Sequence, residues 1–269
     1  MVSLLVVLNW LLPLVYLALL IDYGITFFLR SKAQVRNAGL IPALCVHALF
    51  LVLWALRRGQ PPLANVYEIL SVLALSTALV YTIVEYAVRD RRTGMFVFLL
   101  VFLFQYTASC ALAHIVSVDP SVLSEDQSSW ARLHVVPALV AYTASAISAV
   151  YGLVHLLAQR NLKKHSFGVF FDRLPPLELL GRMTWYALLC GFLFMTVVVL
   201  TGPVLTSHSG LDAKVIVKIV IGSIAWLIYA VAVGGKLLAK WPPSRVSTVA
   251  VSGFVLVMIL FIVSGILSP

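Results

Sequence analysis

The sequence predicts an all-α integral membrane protein, with about eight transmembrane helices in one bundle. Three observations predict it. Apolar residues make up 62% of the chain and charged residues 11%, against about 45–50% and about 25% in soluble domains. The mean hydropathy is +1.04, more apolar surface than a soluble core of this size could bury. The apolar runs are long and do not alternate, which indicates helices rather than a barrel.

A span needs about 20 apolar residues. The first run, residues 4–29, is too long for a signal peptide and lacks a basic n-region, so a retained helix is expected. The second covers 38–56. The third covers 65–87 and follows "PPLAN", with Asn65 as N-cap and Glu68 at the third helical position, a capping-box spacing. The fourth covers 94–117, and the fifth, 133–158, opens beside His134. The sixth, 181–203, follows "RLPPLELLG"; the seventh is 214–236; the eighth, 246–267, follows "KWPPS". No gap could hold a soluble domain, so residues 1–269 read as a single polytopic membrane domain.

The basic residues predict orientation. Fourteen of the 19 lie in or beside the odd-numbered connections: Arg30, Lys32 and Arg36; Arg89, Arg91 and Arg92; Arg160, Lys163, Lys164, Arg173 and Arg182; Lys236, Lys240 and Arg245. Arg57, Arg58, Arg132, Lys214 and Lys218 flank the even ones, with Lys218 snorkelling from one turn inside its helix. The positive-inside rule then places the odd connections in the cytoplasm and both termini on the non-cytoplasmic side. Asp119, Glu125 and Asp126 fall on that same outer side. The net charge of +9 thus reflects topology, and no nucleic-acid partner is expected.

Cys45, Cys110 and Cys190 show no CxxC or CxxCH spacing and read as small buried hydrophobes. Trp10, Trp54, Trp130, Trp185 and Trp241 fit interfacial belts, whereas Trp226 falls mid-helix. There is no nucleophile–base pair, phosphate loop or HExxH pattern, so no conventional active site is expected.

Ionisable residues inside a membrane are costly and default to functional candidates. Glu68 either completes the helix cap or, with Asn65 and Tyr67, walls an outer cavity. His134 opens a helix, where an imidazolium would oppose the dipole; a neutral imidazole there can ligate a metal such as iron. His114 ends the fourth helix and His208 reads as a loop residue, which gathers three histidines at the outer face. Two of them could pair around a planar cofactor; surface loop histidines are also common. His47, near mid-membrane, either bonds a neighbouring helix or serves as ligand or relay. Asp22 and Glu85 read as partners of the basic connections, Glu85 for example with Arg89 one turn on. His155 and His165 read as solvated beside the Lys/Arg cluster.

The stretches "GQPPLANVYEILSVLAL", "LHVVPALVAYTASAISAVYGLVHLL", "FDRLPPLELLGRMTWYALLCGFLFMTVVVLTG" and "AWLIYAVAV" stand in order over about residues 40–240. Together they resemble the CcsA/HemX-like cytochrome c assembly family. The resemblance implies a helical membrane protein that handles haem at the outer face. His134 corresponds to an external haem-ligand histidine, and Asn65, Tyr67 and Glu68 to an outer helix motif.

The departures point to one branch. The haem-lyase branch carries a Trp-rich segment where this chain reads "TGPVLTSHSGLDAKVIVK", without Trp. It carries a later intramembrane His where this chain has "VAVGGK", and an external His after the last helix where this chain reads "GILSP". The chain is therefore more similar to the HemX/YpjD-like branch.

Three functions compete. The first is haem binding or delivery in cytochrome c assembly, with His134 as ligand and His208 or His114 opposite. The second is a non-catalytic membrane subunit or regulator that holds no haem. The third is a small-molecule or proton transporter using His47, Asp22, Glu68 and Glu85, although no inverted repeat is evident. Membrane lipid and, by resemblance, a membrane partner subunit are the expected partners. A bacterial inner membrane, or an equivalent energy-transducing membrane, is the expected location.

Overall fold

A computed structural model describes residues 2–29, 38–63, 65–115, 129–165, 173–209 and 213–267. Arg30, Lys32, Arg36, Asp119, Glu125 and Asp126 lie outside the described residues, as do the side chains of Trp130, Arg132, His208 and Lys214. The described residues form α1 (Val2–Leu29), α2 (Leu40–Arg58), α3 (Val66–Val88) and α4 (Gly94–Ile115). They continue with α5 (Ser129–Lys163), α6 (Leu177–Ser209), α7 (Ala213–Leu237) and α8 (Pro243–Leu267). All eight are long and apolar enough to cross a membrane, and the chain is a multi-pass helical membrane protein.

Local chemistry fixes several ends. Gly59 closes α2 at φ 67°, the left-handed conformation glycine adopts without a Cβ penalty. Asn65, extended at φ −130° and ψ 163°, caps α3 by accepting from the Glu68 N–H, as an N-cap side chain does. Arg89 ends α3 at φ 56°, and its N–H bonds the Glu85 carbonyl. Pro243 starts α8, where a missing N–H costs nothing. Pro13 and Pro137 lie inside α1 and α5; neighbouring groups in membrane helices can re-satisfy the carbonyl each frees.

The chain divides into two compact units. The first comprises α1–α4 with Arg173 and Leu174. Each helix packs on its chain neighbour, and α4 returns to α1. Phe98 centres its aromatic core, stacked on Tyr23 at 4.9 Å between centroids and edge-on to Tyr81 at 5.5 Å. Gly94 lies where a Cβ would strike the Tyr23 ring and approach the Tyr81 hydroxyl.

The second unit comprises α5–α8, with α5 packed on both α6 and α8. Its core includes Leu188, Tyr229, Ala232, Ala250 and Val257. Trp226 stacks on Phe192 at 6.0 Å and donates to Thr196 Oγ1 at 2.9 Å.

Several sequence expectations need correction. Helices α5 and α6 overrun the expected 133–158 and 181–203 at both ends, because polar flanks continue a helix that hydropathy alone would stop. Trp54 is buried rather than belted. It shares one face of α2 with His47, Phe50 and Leu51, at the three-, four- and seven-residue spacing of a packed stripe. Cys45 is exposed, not buried, and all three cysteines are free.

Candidate functional site

His134 lies on the second turn of α5 and is partly buried. Its Nδ1 is 3.0 Å from Thr201 Oγ1 on α6. The Thr201 hydroxyl also meets the carbonyls of Val197 at 2.9 Å and Val198 at 3.2 Å, the back-bonding geometry of a helical threonine. Among the described residues, Nε2 of His134 has no hydrogen-bond partner.

The other two candidate histidines stand differently. His208 was expected in a loop, but α6 runs on to Ser209 and places it on the last turn. It follows Thr201 by about two helical turns. His114 is exposed on the last turn of α4, in the first unit.

Glu68 begins with the cap and goes further. Its N–H is held by Asn65 Oδ1 at 2.8 Å. Its carboxylate, 1% exposed, forms an ion pair with Arg58 and accepts from Trp54 Nε1 at 3.0 Å. Arg58 ends α2 and Glu68 starts α3, so each charge also complements its own helix dipole. The pair is packed between α2 and α3. Tyr67 is 42% exposed.

His47 sits at the centre of a polar chain that joins all four helices of the first unit. Tyr16 Oη is 2.7 Å from Nδ1, and Ser71 Oγ is 3.0 Å from Nε2. Ser71 donates to Gln105 Oε1 at 2.9 Å, and Gln105 Nε2 donates to Ser109 Oγ at 3.0 Å. Asn9 Nδ2 donates to the Ser109 carbonyl at 2.9 Å. Because the Ser71 proton goes to Gln105, Ser71 accepts from His47 Nε2–H. His47 Nδ1 must then accept from Tyr16. Both ring nitrogens are engaged, so His47 offers no lone pair to a ligand.

A second cluster joins α1 to the α3–α4 connection. Arg91 lies 3.2 Å from Asp22, 3.4 Å from Glu85 and 4.8 Å from the centroid of the Tyr23 ring. Tyr23 donates to Glu85 at 2.5 Å. Asp22 thus pairs with a basic connection as expected, but the Glu85 carboxylate takes Arg91 rather than Arg89. Arg89 uses its backbone on Glu85 instead.

His155, expected in solvent, is 4% exposed. Its Nδ1 is 3.1 Å from Ser247 Oγ on α8. The signal was available: Ser148, Tyr151, His155 and Ala158 form one buried stripe of α5 at helical spacing. His165 is exposed.

Sequence reading missed Thr201, Arg58, Tyr16 and Gln105, because their roles come from partners on other helices. Among the described residues, no three His, Cys, Asp or Glu side chains converge to hold a metal ion. A planar cofactor needs only one or two axial donors, and His134, held through one nitrogen, fits that requirement.

Residues 63–269 match the family described as Cytochrome C assembly protein. Among curated relatives, "Cytochrome c biogenesis protein CcsA" of Parasynechococcus marenigrum is 27% identical, over 92% of this chain and 89% of its own. The protein of that name from Microcystis aeruginosa is 22% identical over 82% and 81%. The one from Chlorella vulgaris is 24% identical over 82% and 79%. No solved structure matches the chain.

Proposed function

Because this chain belongs to the cytochrome C assembly protein family, we propose that it binds or delivers haem at the outer membrane face, with His134 as axial ligand. The observation that carries this reading is the state of the His134 ring. Metal-ligating histidines nearly always engage their other ring nitrogen with a polar partner; His134 engages Nδ1 with Thr201 and leaves Nε2 without one among the described residues. Haem held there supplies the iron porphyrin that c-type cytochromes carry. The chain's own part is to fix the imidazole and to offer a second donor from His208 or His114.

The distribution of basic residues supports this sidedness. With the start of α5 outside, the Asn65, Tyr67 and Glu68 end of α3 and both termini share that side. An energy-transducing membrane, such as a bacterial inner membrane, is the setting this reading gives the chain. A separate membrane subunit is the partner that would supply what this chain's outer face lacks.

One observation favours a second reading, a non-catalytic subunit or regulator of haem synthesis or assembly that holds no haem. Only residues 210–212 separate α6 from α7, which leaves no room for an external Trp-rich segment between them. This is also the ground for a HemX/YpjD-like assignment.

The deciding experiment is an absorption spectrum of the detergent-purified protein, oxidised and then dithionite-reduced, for wild type and His134→Ala. A Soret band with sharp reduced α and β bands, weakened in the variant, establishes His134 as a haem ligand. A flat spectrum from folded, haem-supplied protein turns the function to the regulatory reading.

A further inference from the structure

We infer that Thr201 is the positioning residue for His134, and that its hydroxyl selects the ring nitrogen that faces the iron. The inference rests on the reading of His134 as a haem ligand. The argument is a count of hydrogen bonds. Thr201 Oγ1 has three neighbours: His134 Nδ1 at 3.0 Å, the Val197 carbonyl at 2.9 Å and the Val198 carbonyl at 3.2 Å.

A carbonyl can only accept. If the hydroxyl proton points to either carbonyl, the Thr201 oxygen can still accept from His134 Nδ1–H, and two hydrogen bonds form. If the proton points instead to an unprotonated Nδ1, only that one bond forms. The first arrangement satisfies more groups at a partly buried site, so His134 carries its proton on Nδ1. Its lone pair is then on Nε2. The tautomer of a ligating histidine is set by the bond its other nitrogen makes, and here that bond comes from another helix of the same unit.

The contrast with His47 is instructive. There the hydroxyl proton of Ser71 is committed to Gln105, and Tyr16 occupies the remaining nitrogen. The same counting that puts the proton on Nδ1 of His134 engages both nitrogens of His47. His155 also meets a hydroxyl, that of Ser247, but it is almost fully enclosed.

The test uses the full chain in detergent, with wild type, Thr201→Val and Thr201→Ser. Valine keeps the shape and removes the hydroxyl; serine keeps the hydroxyl. Long-range proton–nitrogen correlation spectra of haem-free, histidine-labelled protein report the tautomer of His134, assigned by its loss in His134→Ala. Hemin titration, followed by absorption, reports affinity. The expected result is an Nδ1–H imidazole in wild type and Thr201→Ser, and a mixed or Nε2–H imidazole in Thr201→Val. Hemin affinity should fall about 10- to 100-fold in Thr201→Val, the usual loss when such a partner is removed, and recover in Thr201→Ser. An Nδ1–H tautomer and hemin affinity both unchanged in Thr201→Val would overturn the inference. Wild-type protein that takes up no hemin, but shows the tautomer change, would overturn the ligand reading alone.

Discussion

Arg58 and Glu68 form a buried ion pair that ties the last residue of α2 to the first turn of α3. The pair also takes the indole N–H of Trp54. Removing one partner of a buried pair leaves an uncompensated charge and costs about 3–5 kcal/mol. Glu68→Gln should therefore lower the melting temperature in detergent sharply. A paired Arg58→Met, Glu68→Leu variant should recover much of the loss, since an apolar pair of similar volume needs no compensation. Equal melting of Glu68→Gln and wild type would show that the pair contributes nothing to stability.

The chain from Tyr16 through His47 to Ser109 is a lock rather than a conduit. Its hydrogen bonds run in one direction as far as Gln105. An amide cannot accept a proton at oxygen and release one from nitrogen without becoming an imidic acid. A proton path through His47 would stop there. His47→Leu should cost about 1–3 kcal/mol, because Tyr16 and Ser71 lose a buried partner. Tyr16→Phe and His47→Leu should be non-additive in a double-mutant cycle, as expected of side chains in one network. Proton uptake into proteoliposomes should be the same with and without His47; a clear drop in His47→Leu would restore the transporter reading.

The sequence made the spans legible because membrane helices must satisfy every backbone group internally and are therefore continuous apolar runs. The cap at Asn65 was legible for a similar reason: its partner is three residues away. Arg58 was not, because a carboxylate at a helix start already has a local explanation, and its true partner sits across a turn on another helix. His155 was misread because the adjacent Lys/Arg run suggested solvent, while the helical stripe from Ser148 to Ala158 recorded burial. Thr201 left no trace in the pattern. A threonine in an apolar helix looks like any other, and only the packing of α5 against α6 brings it to His134.

Gly94 lets α4 approach the Tyr23 and Tyr81 rings. A Cβ there would fall on the Tyr23 ring and 2.6 Å from the Tyr81 hydroxyl. The rings are held on Phe98, and Tyr23 is further fixed by Glu85 and Arg91, so neither can yield freely. Gly94→Ala should destabilise the first unit by about 1–3 kcal/mol, the usual cost of overpacking. Gly202→Ala is the control, since a Cβ there meets nothing within 4 Å. Both are read by thermal unfolding in the same detergent, and similar losses in the two would mean that the ring contact is not what Gly94 protects.

The second haem donor should be His208 rather than His114. Thr201 already brings α6 to His134, and the same helix carries His208 about two turns further on. His114, by contrast, belongs to α4. With haem bound, wild type should show a six-coordinate, low-spin spectrum, as expected of two strong axial ligands. His208→Ala should convert it to a five-coordinate, high-spin form with a shifted Soret band, while His114→Ala should leave it unchanged. Imidazole added to the His208→Ala protein should restore the low-spin spectrum, because it replaces only the missing donor. Conversion in His114→Ala instead would assign the second donor to α4, and no conversion in either would mean that the second donor comes from outside the chain.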